Sequence, residues 1–106
     1  MKENPTMTDW IGKFVIARGT QAGVHAGVLV SRDGGRCELR NGRRLWRWRV
    51  KANAGITLSD VAAHGLDKND SRVGVAANVL LTEICEYVEC SQEAAENIAR
   101  FPTYEP

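Results

Sequence analysis

The chain has 106 residues, the length of one domain and enough to bury roughly two-thirds of its unfolded surface in a single core without disulfides or metal. Hydrophobic residues at 43% and charged residues at 25% exclude a disordered tail, and no apolar run approaches the ~20 residues of a membrane-spanning helix or resembles a signal peptide. The formal net charge of +1 hides an asymmetry: residues 1–52 carry eleven Lys/Arg against four Asp/Glu, whereas residues 53–106 carry three against nine. Such a basic segment suits either an anionic partner or neutralisation by the acidic half.

In chain order, residues 1–12 read as a flexible leader with Trp10 its one anchor, and 13–106 as a single β-rich domain. Residues 13–18 (KFVIAR) predict a first strand and 24–32 (VHAGVLVSR) a second, with Val24, Ala26, Val28 and Val30 on one face by period two. Asp33-Gly34 and Asn41-Gly42 are both two-residue hairpin signals, because a type I′ turn needs positive φ at both centres. They predict strands over 36–40 and 43–50 in a three-stranded meander. In that meander Cys37, Leu39, Trp46 and Trp48 share the apolar face with Val28 and Val30. Arg32, Arg36, Arg40, Arg43, Arg47 and Arg49 share the other, and Arg44 lies at the rim.

Thr57 to Leu66 predicts a short helix with Thr57 and Asp60 as a capping box and Gly65 at C′ of a Schellman ending, Leu66 meeting Val61. Residues 73–75 predict a short strand. Residues 78–89 fit helix and strand periods alike, and their β-branched and aromatic content decides for strand. Ser91 caps a last helix over 92–100, which Pro102 prevents from continuing. The fold class is α+β, mainly β: a small antiparallel β-barrel or bent sheet with two short helices.

The sharpest local feature is Arg43-Arg44-Leu45-Trp46-Arg47-Trp48-Arg49. Guanidinium groups recognise phosphate and carboxylate in bidentate geometry, and indoles supply stacking and cation–π surfaces. The plainer reading places Trp46 and Trp48 in the core, with the arginines solvated or paired to Glu83, Glu86 and Glu89. In Ala22-Gly23-Val24-His25-Ala26-Gly27, the two glycines remove side chains where another backbone or a ligand can approach. It matches no phosphate-binding loop, and a bulge or tight strand contact explains the glycines better. His25 points away from Val24. The candidate ligand-binding residues are therefore Arg18, Gly23, His25, Arg43, Arg44 and Trp46. Cys37, Cys85 and Cys90 form no Cys-x-x-Cys pair and read as reduced, buried thiols. With His25 and His64 they make no recognised metal-ligand spacing. No catalytic motif, metal site or cofactor motif emerges.

The pieces Val15-Ile16-Ala17-Arg18, Ala22 through Gly27, Arg43-Arg44-Leu45-Trp46 with Trp48, Leu58-Ser59 through Gly65, and Leu81-Thr82-Glu83-Ile84 occur in an order that resembles a family of short, uncharacterised proteins encoded by tailed bacteriophages and prophages. The resemblance implies a phage product acting in the bacterial cytoplasm, by stoichiometric binding rather than catalysis. Three partner classes follow. The first is an anionic, nucleotide-like small molecule such as a host defence signal, held by an oligomer of the chain. The second is a host protein that the chain inhibits, or self-assembly as a structural subunit. The third is nucleic acid bound through the arginine face. No membrane partner is expected.

Overall fold

The computed structural model describes residues 10–106, so most of the predicted leader lies outside the described residues. The elements run β1 (Phe14–Gly19), β2 (Gly23–Asp33), β3 (Arg36–Arg47), α1 (Leu58–His64), β4 (Arg72–Val73), β5 (Ala77–Leu81), β6 (Ile84–Glu89) and α2 (Gln92–Ala99). They form an antiparallel sheet in the order β4-β3-β2-β1-β6, with β5 also on β3. The strand reading of 78–89 holds, broken at Thr82 and Glu83, the latter with φ 57.

That break shapes the sheet. β5 lies beside β3 and β6 beside β1, so three strands separate them, yet only two residues join them. In a flat sheet their axes would stand roughly 19 Å apart at the usual inter-strand spacing. Three Cα steps reach at most about 11 Å. The sheet must curl, and the Ile84 N–H donates to the Gly35 carbonyl at 2.8 Å as the chain passes the β2–β3 hairpin. The result is a strongly bent sheet, not a closed barrel.

Curling gives two apolar clusters, one on each face. Val15, Ala17, Leu29, Cys37, Leu39, Leu81 and Ile84 fill one face. Ile16, Val24, Ala26 and Leu45 belong to the other, which α1 and α2 cover through Val61, Ala62, Leu66, Ile98 and Phe101. Both faces of β1 are thus buried, as Val15 and Ile16 show in succession.

The meander is corrected in two places. The first hairpin closes on Gly34-Gly35, with Asp33 opposite Arg36 and Leu29 opposite Leu39. Leu29, not Val28 or Val30, is therefore the buried residue, and Arg32 lies opposite Cys37 with its guanidinium 5.8 Å from the Tyr87 ring. Asn41-Gly42 is not a turn. Strand β3 runs through it, and the register slips there against both β2 and β5. It is a β-bulge: Asn41 takes φ 54, which the Asn-Gly pair supplies as readily to a bulge as to a hairpin. Gly27 faces it, and a Cβ there would stand 2.8 Å from Gly42 Cα, so the strand glycines do mark a close backbone approach.

A bulge and a two-residue turn have the same effect on side-chain parity, so Arg40 and Arg43 do share a face. That face is not all solvent, however, because the helices pack on it. Arg43 is 3% exposed.

Helix α1 has the predicted capping box: Thr57 Oγ1 accepts from the Asp60 N–H, and Asp60 Oδ2 accepts from the Thr57 N–H at 3.0 Å. Its C-terminus departs from a Schellman ending. Gly65 has φ 91, but the Leu66 N–H donates to Asn97 Oδ1 at 2.7 Å, so α2 satisfies the donor that would otherwise return to α1. Leu66 still joins Val61 in the helix-side cluster. Ser91 caps α2 by accepting from the Ala94 N–H at 3.0 Å. Among the described residues no helix is long and apolar enough to cross a membrane.

Candidate functional site

The charge asymmetry resolves largely by internal pairing. Lys13 pairs with Glu89, Arg18 with Glu86, Arg47 and Arg49 with Asp70, and Lys51 with Glu93. Among the described residues every ion pair joins a cation of the basic half to an anion of the acidic half. All are exposed and individually weak. Arg44 and Arg72 have no such partner among those residues.

The six predicted ligand-binding residues divide. Arg18 is held by Glu86 at 2.8 Å, and that hydrogen bond raises its pKa. Arg43 is a correction: the helix-covered face turns it inward, where it binds the protein itself. Its Nε donates to the Gly74 carbonyl at 2.9 Å, its Nη1 to the carbonyls of Ile98 and Phe101, and its Nη2 to Thr103 Oγ1 at 2.9 Å. Four of its five N–H donors are occupied, and burial lowers its pKa. It fastens the C-terminal segment to the sheet.

Gly23, His25 and Arg44 come together. His25 lies opposite Arg44 on β2 and β3, and the Arg44 guanidinium covers Gly23 so closely that a Cβ there would stand 2.6 Å from Nη2. His25 is half-buried, with Nε2 2.9 Å from the Ala22 carbonyl. That contact requires an Nε2–H donor and leaves Nδ1 as the acceptor in the neutral ring. Burial lowers the His25 pKa, against the hydrogen bond to the Ala22 carbonyl, which favours the charged ring, and with a smaller lowering from Arg44.

Trp46 overturns the core reading: the residue is 62% exposed. The register explains this. The last registered β2–β3 pair is His25 with Arg44, so Trp46 lies beyond the reach of β2, and β5 covers β3 only as far as Gly42. Trp48 remains half-buried against the helix-side cluster. What meets the Trp46 ring is the C-terminal segment, which docks through the Tyr104 N–H donating to the Val73 carbonyl at 2.9 Å. The Tyr104 ring centroid lies 6.4 Å from that of Trp46, tilted by 34°. The Arg72 guanidinium sits 4.8 Å from the Tyr104 centroid and 5.6 Å from the Trp46 centroid. Arg44, Trp46, Arg72, Val73, Gly74 and Tyr104 line a groove of about 220 Å³.

The structure therefore builds a platform of two arginines and two aromatic rings. The sequence pointed to Arg44 and Trp46; Arg72 and Tyr104 carry no local motif and are brought in by β4 and the docked C-terminus. Such a platform can stack a planar group and meet its negative charge with guanidinium donors.

The other titratable groups offer less chemistry. Cys37 is buried and Cys90 half-buried; burial raises both thiols, Cys90 to about 12, whereas Cys85 is exposed against the expectation. Among the described residues no three His, Cys, Asp or Glu side chains gather as a metal site would need.

No curated protein and no solved structure matches the chain. The family model of a domain of unknown function, DUF6948, matches residues 12–98, which include Arg44, Trp46 and Arg72 and stop short of Tyr104. The match spans most of the molecule, and the chain belongs to the DUF6948 family.

Proposed function

We propose that this protein works by stoichiometric, non-enzymatic binding of an anionic, nucleotide-like molecule on the Arg44–Trp46–Arg72–Tyr104 platform. The observation that carries the reading is Arg72. Its guanidinium is stacked on two exposed rings, and among the described residues no carboxylate pairs with it or with Arg44. A base stacks on the indole and phenol while its phosphate takes the guanidinium donors. The setting we propose is the bacterial cytoplasm, with the chain a phage accessory protein that sequesters a host signal. The test is calorimetric titration with nucleoside monophosphates and cyclic nucleotides, beside native mass spectrometry of protein purified gently from a bacterial host. Binding by the wild type that weakens at least about tenfold in Trp46→Ala supports the reading. No binding across the panel contradicts it.

A second reading, a protein partner, is favoured by Val75 and Leu80. They are 69% and 61% exposed; Val75 follows Gly74 of the groove, whereas Leu80, registered with Glu38, lies away from the platform. Beside Val75, the Trp46, Tyr104 and Arg72 side chains have the composition of an interface hot spot.

A further inference from the structure

Beside the platform stands a second guanidinium pair. Asp70 accepts from Arg47 through both oxygens, at 3.0 Å from Nε and 3.3 Å from Nη2, and from Arg49 Nε at 3.1 Å. One carboxylate thus fixes two arginines, leaving the cluster with a net positive charge. Arg47 Nη1 and Arg49 Nη2 keep their donors without a partner among the described residues. Both arginines and the half-buried Trp48 line a groove of about 400 Å³. The clamp adjoins the platform across the β3–β4 ladder, since Arg47 is the registered partner of Arg72.

We infer that the Arg47–Asp70–Arg49 clamp is a second phosphate site, and that the ligand of the platform is a short single-stranded nucleic acid rather than a free mononucleotide. This rests on the platform reading and extends it. A mononucleotide has one base and one phosphate group and fills only the platform. A strand that stacks a base on Trp46 and Tyr104 carries further phosphates past Arg72 to Arg47. Pre-ordered guanidinium forks suit phosphate oxygens, and stacking on aromatic faces tolerates any base. Asp70 gathers the two side chains at the groove, and as an exposed carboxylate it also competes with a phosphate for their donors, which is the larger of the two effects.

The test measures fluorescence anisotropy of a labelled thymidine hexanucleotide at several salt concentrations, with competition by thymidine monophosphate. The proteins are wild type, Trp46→Ala, the double variant Arg47→Gln with Arg49→Gln, and Asp70→Asn, each checked for fold by circular dichroism. The wild type is expected to bind the hexanucleotide at least about tenfold tighter than the monophosphate. The double variant loses that gain but keeps its monophosphate affinity, and its log–log salt slope is shallower by about 1.4 for two lost phosphate contacts. Asp70→Asn removes the competing carboxylate while keeping both arginines, so hexanucleotide affinity rises severalfold. The inference is overturned, with the platform reading intact, if monophosphate binding depends on Trp46 but the hexanucleotide binds no tighter. It is equally overturned if the hexanucleotide's advantage survives the double variant, or if Asp70→Asn weakens binding. If neither ligand binds, both readings fall.

Discussion

Arg43 closes the C-terminal end of α2 by donating from Nη1 to the Ile98 carbonyl at 3.0 Å, with Phe101 accepting from the same nitrogen. The Ile98 carbonyl, in the last turn of α2, also accepts from the Phe101 N–H at 3.2 Å, so the guanidinium adds a second donor there and reaches on to Phe101 beyond the helix end. The same group binds Thr103, next to Tyr104, so the residue that locks the helix to the sheet also sets one ring of the platform. Arg43→Met removes all four of its hydrogen bonds, while the Ile98 carbonyl keeps the Phe101 N–H. We expect a loss of about 3 kcal/mol of stability and a melting temperature lower by more than about 10 °C. Chemical and thermal denaturation check this, and a loss under about 1 kcal/mol would show that the carbonyls find other donors.

The bulge makes a second prediction. Gly27→Ala drives a methyl into the Gly42 backbone at 2.8 Å and the Arg40 carbonyl at 3.0 Å, where no flexible side chain can give way. The expected cost is about 1–3 kcal/mol. Asn41→Gly keeps the left-handed backbone available and stays within about 1 kcal/mol of wild type. Urea denaturation of the two variants distinguishes this bulge from the hairpin that the Asn-Gly pair suggests, in which residue 27 has no such contact.

Much of the fold was legible because its signals are local. Thr57 and Asp60 announce the start of α1, Ser91 announces α2, the apolar run in KFVIAR locates β1, and period-two patterning locates β2. The Asn41-Gly42 pair misled because a left-handed residue before glycine serves a bulge and a hairpin equally. The choice is made by β5, whose pairing with both sides of the bulge is a long-range matter. The burial of Arg43 was illegible for the same reason, since its acceptors lie at the far end of the chain. Half of the platform was visible in Arg44 and Trp46. The rest depends on where β4 and the C-terminal segment dock, which no local pattern encodes.

The capping box predicts a pH dependence. The Thr57 backbone N–H, its hydroxyl and the Ile56 N–H hold the Asp60 carboxyl below its ordinary value. The folded pKa is depressed, so the stabilisation is fully present above the unfolded carboxyl pKa of about 3.9 and is lost as pH falls through the folded value. The difference in urea midpoint between wild type and Asp60→Asn should be present above pH 5 and shrink as pH falls below about 4. A difference that persists unchanged into acid would show that the carboxylate's charge plays no part in the cap.

The central claim, that the platform binds a nucleotide-like anion, is tested most directly by the three indole N–H resonances in a proton–nitrogen NMR spectrum. Trp10 packs against the Leu29 cluster and serves as the internal reference for the exposed Trp46, whereas Trp48 lines the neighbouring groove. As a nucleoside monophosphate is added, the account predicts a saturable shift of the Trp46 indole N–H together with the Arg72 Nε–H, while Trp10 stays still. A titration in which no indole moves, or in which Trp10 moves and Trp46 does not, would contradict it.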